Sequence, residues 1–240
     1  MTEKSLNEIK QMQLKSRVDI IKENIKKAAE ESGRNSKDIT LVAATKTVPS
    51  NIINEAILCG ISNIGENRVQ ELLKKEEGID KDNIKTHFIG HLQRNKVKSI
   101  IGKVDLIQSV DTFRLAKEIS DRSLEENLTM EILLEVNIGR EENKYGFAKE
   151  ALKAELDKIG NLPNIKVKGL MAIVPICKEK NLLKGFFAEM NTLFVDIRNE
   201  KHDNIDMEYL SMGMSSDYIE AIRCGSNMVR IGSAIFGERN

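Results

Sequence analysis

The chain has 240 residues, 40% hydrophobic and 31% charged, an ordinary globular mix with apolar material for a sizeable core. Lys plus Arg and Asp plus Glu number 37 each, so the net charge is zero and no global field draws the protein to nucleic acid or an anionic membrane. No apolar run reaches a membrane span, and the polar opening MTEKSLNEIK has neither a secretory signal's apolar core nor a transit peptide's acid-poor character, so a cytoplasmic location is expected.

The first thirty-odd residues predict a long amphipathic helix, 1–34. Leu14, Val18, Ile21, Ile25 and Ala28 step by four and three onto one face, and Gly33 is a natural stop. Short β-rich runs then alternate with helical patterns. The runs are 39–46, 62–67, 86–92, 105–110, 131–138, 167–173, 207–214 and 228–235. Several are almost continuously apolar, as parallel strands buried on both faces must be. Eight βα units with no Pro/Gly/Ser-rich linker predict one α/β domain over 1–240. Its expected fold is a (β/α)8 TIM barrel with the N-terminal helix packed on it; the pattern fits this better than an open doubly wound sheet but does not by itself decide between them. No GxGxxG follows the first strand, which argues against a dinucleotide-binding fold.

A barrel of this kind places its chemistry at the C-terminal ends of the strands, with phosphate bound after strands seven and eight. The first run ends in Lys46, between Thr45 and Thr47. A lysine at an apolar barrel mouth is partly desolvated, and its neutral amine attacks aldehydes to form an imine. By position alone, a solvated lysine that merely ends a strand is the plainer reading. The second run ends in Asn67, a ligand contact or a helix cap. His87 and His91 read more readily as structural histidines than as catalysts, and Met171 and Tyr209 as core packing.

The last two runs are the most informative. Ser211 to Asp217 passes from a strand into a helix, and Ser215 with Gly213 lets backbone N–H groups approach an anion. Gly232 and Ser233 offer close backbone approach and a hydroxyl. Together these form a candidate phosphate cup; helix capping is the plainer alternative. Arg230, two residues before Gly232, is a permanent cation among apolar neighbours and needs a carboxylate or a ligand atom. Cys59, Cys177 and Cys224 lie far apart, and with His87, His91 and His202 they make no metal-ligand set, so no metal is expected.

Laid side by side, Lys46, GENRVQE (65–71), HFIGHLQRNK (87–96), LSMGMSSD (210–217) and VRIGSAIFG (229–237) resemble the pyridoxal phosphate homeostasis proteins. These are single-domain fold-type III binders of pyridoxal 5′-phosphate (PLP), similar to the barrel half of the alanine racemases. The resemblance covers nearly the whole chain. It implies that Lys46 forms the internal aldimine with PLP and that Arg230 faces the pyridine nitrogen. It places Ser211, Ser215, Gly232 and Ser233 around the phosphate and Asn67 near the ring. Two positions depart from many members: Thr86 replaces tryptophan and Ser233 replaces threonine.

The function implied is PLP binding that maintains vitamin B6 and amino-acid pools, with PLP-dependent apoenzymes as partners and no assigned catalytic residue. The chain ends at Asn240, without room for the second domain of the racemases, and none of Tyr145, Tyr209 and Tyr218 is evidently placed as a second base. A monomer without strong catalysis is therefore expected. The alternatives are a weak PLP-dependent racemase-like enzyme and an aldolase-type barrel enzyme using Lys46 as its Schiff-base lysine.

Overall fold

A computed structural model describes residues 3–177, 179–200 and 203–237; His202 lies outside them. Eight parallel strands, β1 Thr40–Ala44, β2 Asn63–Glu66, β3 Lys85–Phe88, β4 Leu106–Val110, β5 Met130–Glu135, β6 Ile165–Met171, β7 Ile205–Ser211 and β8 Met228–Ile231, close into a barrel in sequence order. Closure is made by β1 against β8, with Val42 opposite Arg230. The helices are α1 Glu3–Glu31, α2 Ser50–Leu58, α3 Val69–Lys75, α4 Phe113–Glu125, α5 Lys149–Gly160, α6 Lys180–Arg198, α7 Tyr218–Arg223 and α8 Ser233–Phe236. Between β3 and β4 the crossover uses a 3-10 segment, Arg94–Ser99, in place of an α-helix.

Strand alternation sends successive side chains inward and outward. The outward set packs beneath the helices. The inward set fills the barrel with Val42, Leu106, Leu133, Met171 and Met228, and Tyr209 packs against them. Met171 and Tyr209 thus have the packing roles expected of them. On α1, Leu14, Val18, Ile21, Ile25 and Ala28 are all buried, each contributing roughly 1.5–3 kcal/mol for an aliphatic side chain the size of Leu or Ile. Gly33 ends α1 at φ +70°, and Arg34 donates to the carbonyls of Ile222, Gly225 and Ser226, tying that end to α7.

All eight sequence runs contain a strand, but the C-terminal bounds retreat in every run except 105–110, where β4 ends at Val110. β1 stops at Ala44, and Lys46 lies in a turn, because Thr47 takes a left-handed φ of 62°. β2 stops one residue before Asn67. The run 207–214 ends as strand at Ser211, since Gly213 turns the chain at φ +98°. The run 228–235 is half strand: β8 ends at Ile231 and Ser233 opens α8. Lys46, Asn67, Ser215 and Gly232 sit just past the strands, whereas Ser211 ends β7, Arg230 lies within β8 and Ser233 opens α8.

Candidate functional site

The turn carrying Lys46 is pinned from both sides. Thr45, fully buried, donates its hydroxyl to Glu66 Oε1 at 2.6 Å and its backbone N–H to the Gly65 carbonyl at 2.9 Å. On the other side the Thr47 N–H donates to Glu71 Oε2 at 2.6 Å. Lys75, on the same helix as Glu71, bridges the two by donating to Thr45 O and Glu66 Oε1, each at 2.8 Å. Lys46 itself is half-buried. Asn67 follows on the next strand end. Its Oδ1 is buried and accepts no hydrogen bond in the structure, which leaves it available to a ligand donor.

The β7 and β8 ends hold the expected anion-binding elements. Gly213 cannot be replaced without collision: a Cβ there would lie 2.6 Å from Ala221 Cβ and 2.9 Å from Tyr218 Cα. Its carbonyl accepts the Arg230 N–H at 3.0 Å, which locks the two strand ends together. The Ser215 hydroxyl oxygen accepts N–H bonds from Gly232 at 3.2 Å and Ala234 at 3.3 Å, which ties the loop after β7 to the start of α8. The Ser233 side chain is exposed beside them.

Arg230 is buried at 5% exposure, yet among the described residues no carboxylate hydrogen-bonds to it. Its Nη1 donates to Ser211 O (2.9 Å) and Ser211 Oγ (2.6 Å), and its Nη2 to Ala172 O (2.9 Å). Nε–H donates to none of the described residues. Sequence reasoning looked for a carboxylate or a ligand atom; the structure supplies two backbone carbonyls and one hydroxyl. Burial pushes the guanidinium down to about 10, still charged at neutral pH, while the fields of Glu135 and Asp217 oppose that shift. Glu135 itself, at the end of β5, is pushed up to about 7, chiefly by burial.

A second cluster rims the mouth. His91 Nδ1 lies 3.1 Å from Asp111 Oδ2, and its ring stacks on Tyr145 with centroids 3.6 Å apart. His87 lies elsewhere, inside the barrel, where burial pushes it down to about 4 and keeps it neutral.

Residues 17–240 match the sequence profile of the alanine racemase N-terminal domain. The pyridoxal phosphate homeostasis protein of Aquifex aeolicus is 43% identical over 223 residues, 93% of this chain and 97% of that one. This chain belongs to the pyridoxal phosphate homeostasis protein family. The Escherichia coli K12 member is 35% identical over 227 residues, covering 92% of this chain and 94% of its own. Among solved structures, PipY of Synechococcus elongatus PCC7942 with PLP bound superimposes with a TM-score of 0.77 at 30% identity, covering 83% of this chain and 93% of that one. Alanine racemase of Clostridium difficile 630 shares the fold, with a TM-score of 0.70 at 16% identity over 90% of this chain and 58% of its own.

For this member of the family, sequence reasoning named the residues of the β1, β2, β7 and β8 ends and missed those that support them. Glu66, Glu71 and Lys75 surround Lys46, and the i, i+4 pair Glu71–Lys75 was visible as a helical spacing. Gln108 is the amide of β4, LIQSV, and buried amides signal a hydrogen-bond network. Tyr145 was judged unplaced; it stacks on His91 beside Asp111, a contact no spacing announces.

Proposed function

We propose that this protein holds PLP at the C-terminal mouth of its barrel, attached through Lys46 Nζ, and acts as a carrier that maintains PLP and amino-acid pools. The observation carrying this reading is the convergence, on the paired strands β1 and β8 and neighbouring β7, of a pinned lysine turn, a buried guanidinium and the Ser215 hydroxyl held by the Gly232 and Ala234 N–H groups. The residues fit the group. Ser215, Gly232, Ala234 and Ser233 suit its phosphate, and Asn67 Oδ1 offers a buried acceptor beside the ring.

When bound, the cofactor supplies an aldehyde for primary amines and an electron sink that is strongest when its ring nitrogen is protonated. Arg230, the residue we assign to that nitrogen, is a fixed cation and disfavours the added proton. Lys46 is held by its neighbours where an incoming amine can displace it. This combination suits holding and releasing PLP better than rapid turnover. The recipients we assign are PLP-dependent apoenzymes, the working form a cytoplasmic monomer.

Borohydride reduction of the PLP-incubated protein followed by peptide mass spectrometry tests the attachment. The adduct is expected on Lys46, and Lys46→Ala should abolish the visible absorbance band. An adduct confined to other lysines overturns the assignment. A second reading, a racemase-like enzyme, is favoured by Tyr145, His91 and Asp111, which place acid/base groups at the mouth. Chiral analysis of common amino acids after incubation with the protein decides between the two. Rapid racemisation that Tyr145→Phe abolishes would replace the carrier reading.

A further inference from the structure

A continuous hydrogen-bonded chain crosses the barrel interior from one mouth to the other. Arg230 Nη1 donates to Ser211 Oγ at 2.6 Å, and Ser211 Oγ donates to Gln108 Oε1 at 2.7 Å. Gln108 Nε2 lies 2.8 Å from His87 Nδ1, and His87 Nε2 lies 3.2 Å from Asn63 Oδ1. Strands β8, β7, β4, β3 and β2 each contribute one member. Arg230, Ser211, Gln108 and His87 are buried, with exposures of 5%, 0%, 0% and 2%. Asn63 opens onto a cavity of about 640 Å³ at the N-terminal mouth, lined also by Thr40, Lys85 and Asp105.

A guanidinium only donates, so Ser211 Oγ accepts from Arg230, and its own proton is donated to Gln108 Oε1. That fixes the amide and presents Nε2–H to the imidazole. His87 therefore accepts at Nδ1 and carries its proton at Nε2, which donates to Asn63. The remaining Gln108 N–H meets Met228 Sδ at 3.2 Å, so both amide N–H groups are used. Apolar side chains would fill the same space without desolvating polar groups, as Val42, Leu106 and Leu133 do alongside. A polar chain in their place fixes orientation, because each hydrogen bond restricts the next.

We infer that Gln108 and His87 are positioning residues that hold the Ser211 hydroxyl, and through it the Arg230 guanidinium, in the orientation the cofactor ring meets. This rests on the assignment of PLP to the C-terminal mouth.

Two measurements test it. In the cofactor-free protein, long-range 15N–1H NMR of the imidazoles should show His87 as the Nε2–H tautomer; the Nδ1–H tautomer would break the chain and overturn the inference. PLP titration followed by visible absorbance then compares Gln108→Leu with Gln108→Glu, thermal unfolding being recorded without cofactor. Gln108→Leu should weaken PLP binding about tenfold, the scale of one hydrogen bond to a charged group, and shift the absorbance band. Gln108→Glu, which keeps the acceptor for Ser211 and turns an oxygen toward His87 Nδ1, should restore both and switch His87 of that variant to the Nδ1–H tautomer. Lower stability with unchanged affinity and band would mean a structural role only and overturn the inference. If Gln108→Leu does not fold, His87→Phe serves the same comparison. Absence of PLP binding by the unmodified protein overturns the reading of the mouth itself, a result distinguishable from a failed tautomer or a silent Gln108 variant.

Discussion

Lys75 Nζ donates to the carbonyl oxygen of Thr45 at 2.8 Å, so an ammonium group from α3 clamps the residue immediately before Lys46. The same Nζ meets Glu66 Oε1 at 2.8 Å, and the two side chains are 11% and 1% exposed. Removing one member of so buried a pair strands the other's charge. Lys75→Met should therefore cost about 3 kcal/mol in urea unfolding and slow PLP loading. Adding Glu66→Gln to Lys75→Met should recover more than half of that stability. Strictly additive losses would show that the pair does not act as a unit.

The approach of β2 to β3 at the mouth depends on a missing side chain. A Cβ at Gly90 would lie 2.1 Å from the Asn67 carbonyl oxygen, inside any tolerable contact, and backbone must move to relieve it. Gly90→Ala should lose about 3 kcal/mol and weaken PLP binding by displacing Asn67. Gly185→Ala is the contrasting case. It lies in α6 with nothing within 4 Å of its added methyl, so it should gain roughly 0.5–1 kcal/mol. Equal thermal shifts for the two variants would contradict this account.

Glu135 makes stability depend on pH in a specified direction. Burial is the main cause of its rise to about 7, with Arg230 opposing and Asp111 adding to it. In the unfolded chain a glutamate titrates near ~4.3. Between those values the folded protein binds more protons than the unfolded one, so this group's contribution falls as pH rises from about 4.3 to about 7. Glu135→Gln should remove the slope. Urea unfolding should show the variant gaining about 1–3 kcal/mol relative to wild type at about pH 8 and little or nothing at about pH 4. A difference independent of pH would rule out Glu135 as its source.

Thr47 holds a left-handed φ of 62°, a conformation costly for a β-branched residue. Its side chain is exposed, so the backbone N–H to Glu71 is the contact that requires it. Thr47→Asn keeps that N–H and tolerates the conformation better. A gain of about 0.5–1 kcal/mol in thermal unfolding is expected. Loss of stability would mean that the threonine side chain, and not the turn geometry, sets the preference.

The sequence by itself determined the alternation of eight β-rich runs with helical patterns, which favours a closed barrel over an open doubly wound sheet, because several runs are apolar enough for parallel strands covered on both faces; the closure itself came from the structure. α1 declared its packed face through the period of Leu14, Val18, Ile21 and Ile25. It also singled out Lys46, Asn67 and Ser215, which fall just past strand ends where a barrel keeps its loops, and Arg230, which lies within β8. What only the tertiary structure decided is who touches whom across strands. Arg230 finds the carbonyls of Ser211 and Ala172, residues 19 and 58 positions away, and Gln108 meets His87 across 21. Such contacts depend on the barrel's closure and register, which bring side chains from five strands to one axis. The strand period says which residues face inward; only the packed barrel says at what height they meet, and that height makes isolated polar residues into one chain behind the site.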